Sequence, residues 1–149
     1  MHGPITLGEA STIVDAALTH GRATECAPLT VAVLDPGGHL VALKREDRSG
    51  IFRVEVATAK AYGALGMRLP SRTLRALGEQ LPHFVPALSA LSDGRFVPLP
   101  GGVLIRTEEG EVVGAVGVTG DTSDPDEACA VAGVEAAGLI PDTTSTEAW

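Results

Sequence analysis

The sequence predicts an α+β fold, an antiparallel sheet of about five strands with helices packed on it. Two β-rich segments turn back on themselves, around Asp35-Pro-Gly-Gly38 and around Glu108-Glu-Gly110. Apolar residues recur at helical spacing before, between and after these hairpins. Neither strand–helix–strand alternation nor an internal repeat is present, which excludes a parallel sheet and a solenoid.

Thr6-Leu-Gly-Glu9 has the capping-box pattern, with Ile5 and Ala10 placed as a hydrophobic staple, so the first helix starts there. Leu7, Ala10, Ile13, Val14, Ala17 and Leu18 give it one apolar face. It stops at Gly21 or runs on to Ala27 before Pro28. Leu29 to Leu34 reads as a strand, and His39 to Lys44 as its returning partner after the Asp-Pro-Gly-Gly turn. A polar loop, Glu46 to Gly50, leads into a helix over Ile51 to Met67. Pro70, Pro82 and Pro86 then punctuate two short helices, Ser71 to Leu81 with Ser71 as N-cap, and Phe84 to Leu91.

Arg95 to Leu99 reads as a short edge strand, because Pro98 and Pro100 would interrupt a central ladder. Val103 to Thr107 and Glu111 to Thr119 form the second hairpin. In the final helix Asp124 is the expected cap, Pro125 takes the first position, and Asp126 and Glu127 complement the helix dipole. That helix stops at Gly138. Residues 141–149 read as a polar, mobile tail of a single domain, with Trp149 available as a tether.

With 149 residues, one domain is expected. Eleven Lys and Arg stand against nineteen Asp and Glu, a net charge of −8, so the chain lacks the basic face that nucleic acid or anionic lipid requires. No apolar run is long enough to span a membrane, and no signal-peptide pattern opens the chain, which predicts a cytoplasmic protein. Cys26 and Cys129 belong to no CxxC pair and read as two buried thiols, reduced and slow to react. Four scattered histidines give no metal-ligand spacing, so no metal site is expected.

Lys60 is the sharpest chemical candidate. It lies in Ala57-Thr-Ala-Lys-Ala-Tyr-Gly-Ala64, where helical spacing places it among small apolar residues. A poorly hydrated ammonium has a lowered pKa and could serve as base, Schiff-base nucleophile or anion anchor. The alternative is a lysine that lays its stem over Ala and Val and keeps its head in water. His39 opens a strand after the turn and is the second catalytic candidate, against plain solvent exposure. Arg45 and Asp47, two apart at a strand–loop junction, either bind a ligand or form a structural ion pair. Gly101 and Gly102 permit close backbone approach and are candidate ligand-binding positions. Gly114, Gly117 and Gly120 read better as tight packing positions. No GxSxG, Walker A or HExxH pattern occurs.

Five segments in order resemble the GlcG/HbpS-like family, the haem-degrading domain family that includes the C-terminal domain of PduO proteins. They are Val31 to Leu40, Arg45 with Asp47, Lys60-Ala61, Pro100 to Ile105, and Gly114 to Gly120 followed by Asp126-Glu-Ala128 and Ala132-Gly133. One departure is Val103-Leu-Ile105, where many members carry a proline. The resemblance implies a profilin-like fold, assembly into a homo-oligomer, and binding of haem, a corrinoid or another small molecule, with His39 as a candidate axial ligand. Three functions compete. The chain is a binding protein for a tetrapyrrole or other compact anionic metabolite, or an enzyme using Lys60 with Arg45 or His39 for proton-transfer or carbonyl chemistry, or a non-catalytic accessory subunit.

Overall fold

The computed structural model describes residues 2–146. Its elements run α1 (Leu7–Ala23), β1 (Thr30–Leu34), β2 (Leu40–Arg45), α2 (Arg53–Met67), α3 (Ser71–Gln80), α4 (Phe84–Leu91), β3 (Gly102–Arg106), β4 (Val112–Thr119), α5 (Ser123–Ala136) and β5 (Ile140–Asp142). The strands form one antiparallel sheet in the order β2-β1-β4-β3-β5. The expected α+β fold with five strands is borne out.

Alternation along the strands sorts the core into two layers. Val31, Val33, Val103, Ile105, Val116 and Val118 face α1 and α5, while Leu34, Leu104 and Ala115 face α2. A bulge in β4, where Ile105 pairs with Gly114 and Arg106 with Val112, brings Val113 onto the α1–α5 side as well. β1 is buried on both faces, which is why its sequence is an apolar run rather than an alternation. α1 and α5 cross closely because Gly133 has no side chain; a Cβ there would stand 2.6 Å from the Ile13 carbonyl oxygen.

The start of α1 follows the capping box. Thr6 Oγ1 accepts from the Glu9 amide at 3.1 Å, and the Glu9 carboxylate accepts from the Thr6 amide at 3.0 Å. Gly21 does not end this helix. It packs beneath Leu29 and beside Cys129, and α1 continues for two residues past it.

Four elements differ from the sequence reading. Arg95 to Leu99 is not a strand; the fifth strand is Ile140–Asp142, on the outer edge of β3. The start of the expected mobile tail is therefore held in the sheet, with Arg106 Nε donating to Asp142 at 2.8 Å and Thr73 Oγ1 donating to the Ser145 carbonyl at 2.9 Å. Trp149 lies outside the described residues. The N-caps of α3 and α5 are Pro70 and Thr122 rather than Ser71 and Asp124, and neither makes a side-chain cap. Each displaced side chain has other work. Ser71 Oγ accepts from the Gly102 amide at 2.7 Å, and Asp124 pairs with Arg72 on α3.

Candidate functional site

Lys60 and the two glycines meet at one end of the sheet. α2 crosses a floor with a single methyl group, in which Ala32, Gly117 and Gly102 stand side by side on β1, β4 and β3. A Cβ on Gly117 would lie 1.9 Å from the Ala57 carbonyl oxygen, and one on Gly102 would lie 2.3 Å from the Lys60 carbonyl oxygen. The helix backbone thus rests on the strands themselves. Lys60 then extends over Gly101, whose φ of 126° no ordinary side chain favours. Its Nζ donates to the Val118 carbonyl at 2.9 Å and to Asp126 Oδ2 at 3.2 Å.

Both partners of this ion pair are buried, Lys60 at 3% exposure and Asp126 at 1%. Burial pushes the Lys60 ammonium below the usual lysine range, with Asp126 partly offsetting it. Burial likewise pushes the Asp126 carboxyl up, opposed by Lys60 and by the Asp121 amide that donates to it at 2.9 Å. The pair joins two segments that lie 66 residues apart in the chain. Gly101 and Gly102, expected to cradle a ligand, here cradle the lysine of their own chain.

Arg45 is at the same end, since it pairs with Thr30, which pairs in turn with Thr119. Its Nη1 donates to the Ser49 carbonyl at 2.9 Å. Asp47 is not its ion-pair partner among the described residues; it lines a polar surface cleft with Arg22, Arg45 and Arg48. His39 is elsewhere. It stands beyond Leu34, so the length of β1, at about 3.3 Å per residue, keeps it roughly 10 Å or more from Lys60. Its ring is 81% exposed, with Nδ1 3.2 Å from Asp35 Oδ1. The His39 amide, then the Gly37 amide, hold the Asp35 carboxyl below the usual carboxylate range.

Beside His39 the fold encloses a cavity of about 260 Å³. The turn Pro36-Gly-Gly38 forms one wall, Tyr62 and Met67 of α2 another, and Leu88, Arg95 and Phe96 close it. Gly38, at φ 83°, lies against the Tyr62 ring, where a Cβ would come within 2.7 Å. The Arg95 guanidinium covers that ring at 4.0 Å from its centroid, a cation–π stack, and its Nε donates to the Ser92 carbonyl at 2.8 Å. Among the described residues no protein acceptor engages its Nη atoms. A cation with spare donors at the mouth of an apolar, aromatic cavity suits an anion that carries an apolar body.

Tyr62 and Arg95 went unread as site residues in the sequence. A signal was there: Asp93-Gly94 is a turn dipeptide, and both residues adopt positive φ, ending α4 and swinging Arg95 and Phe96 back onto α2.

The model of the family described as haem degrading protein HbpS-like matches residues 5–135. The chain belongs to that family. Among curated proteins, none matches the sequence. The fold is similar to that in the crystal structure of a PduOC–haem complex, at 19% identity with a TM-score of 0.80, covering 94% of this chain and 99% of that one. It is also similar to the Klebsiella pneumoniae protein ORFY, at 21% identity with a TM-score of 0.81, covering 93% of each chain. A double mutant of HbpS from Streptomyces reticuli is 25% identical with a TM-score of 0.76, covering 91% of this chain and 88% of that one. The Lys60–Asp126 contact joins two of the segments that carry the HbpS-like resemblance, and no helix in the described residues is long and apolar enough to cross a membrane.

Proposed function

We propose that this HbpS-like protein binds a compact anionic small molecule, seated in the cavity beneath Arg95 with its apolar body against Tyr62, Phe96 and Met67. The observation that carries the reading is the Arg95 guanidinium, stacked on Tyr62 with Nη donors uncommitted at the mouth of an apolar cavity. Catalysis through Lys60 has less support, because its ammonium is sealed and bonded to Asp126 and Val118.

The family description and the haem complex of PduOC raise a tetrapyrrole as the alternative ligand. At about 260 Å³, the cavity falls below the roughly 300–1,000 Å³ typical of sites for drug-sized molecules, and a tetrapyrrole is larger than it. No histidine or cysteine lines it among the described residues. Met67 and Tyr62 are the lining groups that could ligate an iron, and the cavity of one chain is smaller than a tetrapyrrole, so a compact anion suits its size and charge better.

Benzoate, an aromatic carboxylate, is the probe for a compact anion, followed by ligand-observed NMR; haemin is followed by visible absorption. Arg95→Met is expected to weaken benzoate roughly tenfold to a hundredfold, since a hydrogen bond to a charged group contributes about 1.5–3 kcal/mol. Stoichiometric haemin binding that Arg95→Met leaves unchanged, with no benzoate binding, would overturn the reading.

Self-association belongs to the same proposal, but on altered grounds. The small-residue faces at Gly114 to Gly120 and Ala128 to Ala137, which would suit close packing between copies, are used within the chain, Gly114 and Gly117 against Ile5 and α2, Gly133 against α1. Its support is now the pair Ile51 and Phe52, 88% and 75% exposed just before α2. Sedimentation is expected to show a dimer or larger species that Phe52→Glu dissociates; a wild-type monomer at micromolar concentration refutes this.

A further inference from the structure

We infer that Cys26 and Cys129 are a peroxide-sensitive pair that closes into an intramolecular disulfide. Their sulfur atoms lie 3.9 Å apart, although 103 residues separate them in the chain. Both thiols are free, Cys26 in the loop after α1 and Cys129 on α5. The Cys26 amide donates to the Gly21 carbonyl at 2.9 Å, which folds the loop after α1 back over the end of that helix. Cys129 sits on α5 beside Gly21, its sulfur at the ordinary contact distance of 3.5 Å from a Cβ placed there. A disulfide requires the sulfurs to close to about 2.05 Å, and two thiols already in contact have the least distance to travel.

The two thiols are unequal in access. Cys26 is 7% exposed and lines a surface cleft with His20, Thr24 and Asp121, whereas Cys129 is fully buried. Hydrogen peroxide entering that cleft meets Cys26 first. The Cys26 sulfur attacks one peroxide oxygen, the O–O bond breaks, water leaves, and Cys26 becomes a sulfenic acid. Cys129 then attacks that sulfur, the S–S bond forms as the S–OH bond breaks, and the hydroxyl departs as water with the Cys129 proton. The peroxide is reduced and the two thiols are oxidised, two electrons in each case. Burial first, and then the neighbouring Cys26, push the Cys129 thiol up to about 12, so it stays protonated and is not the thiol that meets peroxide first. The contact supplies the proximity that makes this second step intramolecular.

Millimolar hydrogen peroxide added to the folded protein is expected to remove two hydrogens from the intact mass and to give one linked peptide, Cys26 to Cys129, reversed by dithiothreitol. The link closes a long loop and should raise Tm by roughly 5–15 °C. Cys129→Ser is expected to stop at a Cys26 sulfenic acid that dimedone captures, and Cys26→Ser to leave Cys129 unmodified under the same conditions. Oxygen addition without a link, a link between molecules, or a folded protein that resists peroxide while its urea-unfolded form oxidises would each overturn the inference.

Discussion

Gly117→Ala is expected to destabilise the protein by about 3 kcal/mol or more, a large part of the roughly 5–15 kcal/mol that a domain commands. The added methyl would stand 1.9 Å from the Ala57 carbonyl oxygen and 3.1 Å from the Ala61 amide nitrogen. Both are backbone atoms, so no side chain can turn aside. α2 must lift off the sheet, which also disturbs the Lys60 contacts one helical turn on from Ala57. Thermal melting followed by circular dichroism should show Tm lower by roughly 10 °C. Gly66→Ala is the internal control. That glycine lies on the exposed side of α2 with nothing within 4 Å of an added Cβ, and alanine there should stabilise by about 0.5–1 kcal/mol. Equal melting of the two variants would refute the account of the floor beneath α2.

Lys60→Met is expected to cost about 3–5 kcal/mol at neutral pH, because it leaves the Asp126 carboxylate buried without its cation. Read from the sequence, with no partner in view, the same substitution would have been close to neutral; the Asp126 contact reverses that expectation. The loss should shrink in acid. Burial already raises the Asp126 carboxyl above its unfolded range, and removing Lys60 raises it further. A carboxyl raised on folding contributes stability below its unfolded pKa and loses it as pH climbs through the folded one. The Tm of Lys60→Met should therefore rise from pH 7 to pH 5. Lys60→Met combined with Asp126→Asn removes both charges and keeps an acceptor for the Asp121 amide, so it should recover at least half of the loss. A single variant that melts like wild type at neutral pH would return Lys60 to the functional candidates.

Arg95 shows why the site was less legible than the fold. The prolines at 98 and 100 were correctly read as hostile to a central ladder, and the inference to an edge strand followed from them. In the structure the segment forms no strand at all, since Asp93-Gly94 has already turned it toward α2, and its value is the delivery of Arg95 and Phe96 to the cavity. Lys60 was read with Arg45 or His39 as its partner; Arg45 stands at the Lys60 end of β1 and His39 at the other. Both points concern which residues meet, a property of the three-dimensional chain path.

By itself the sequence determined what depends on neighbours along the chain. The capping box at Thr6 and Glu9, the turn at Asp35 to Gly38, the periodicity of α1 from Ala10 onward (Leu7 is exposed) and the apolar run of β1 are local choices of backbone dihedral and burial, and each stands where it was expected. The ordered set of segments was enough to indicate the HbpS-like family. Tertiary structure decided the partners. Lys60 finds Asp126 across 66 residues, Cys26 finds Cys129 across 103, and Gly102 and Gly117 find the backbone of α2. It also placed a fifth strand in what reads as a tail, because Ile140–Asp142 is too short to show a period and is held by the open edge of β3. Spacing along one element reveals the face a residue shares. The group that meets that face comes from another part of the chain, and only the packed fold brings the two together.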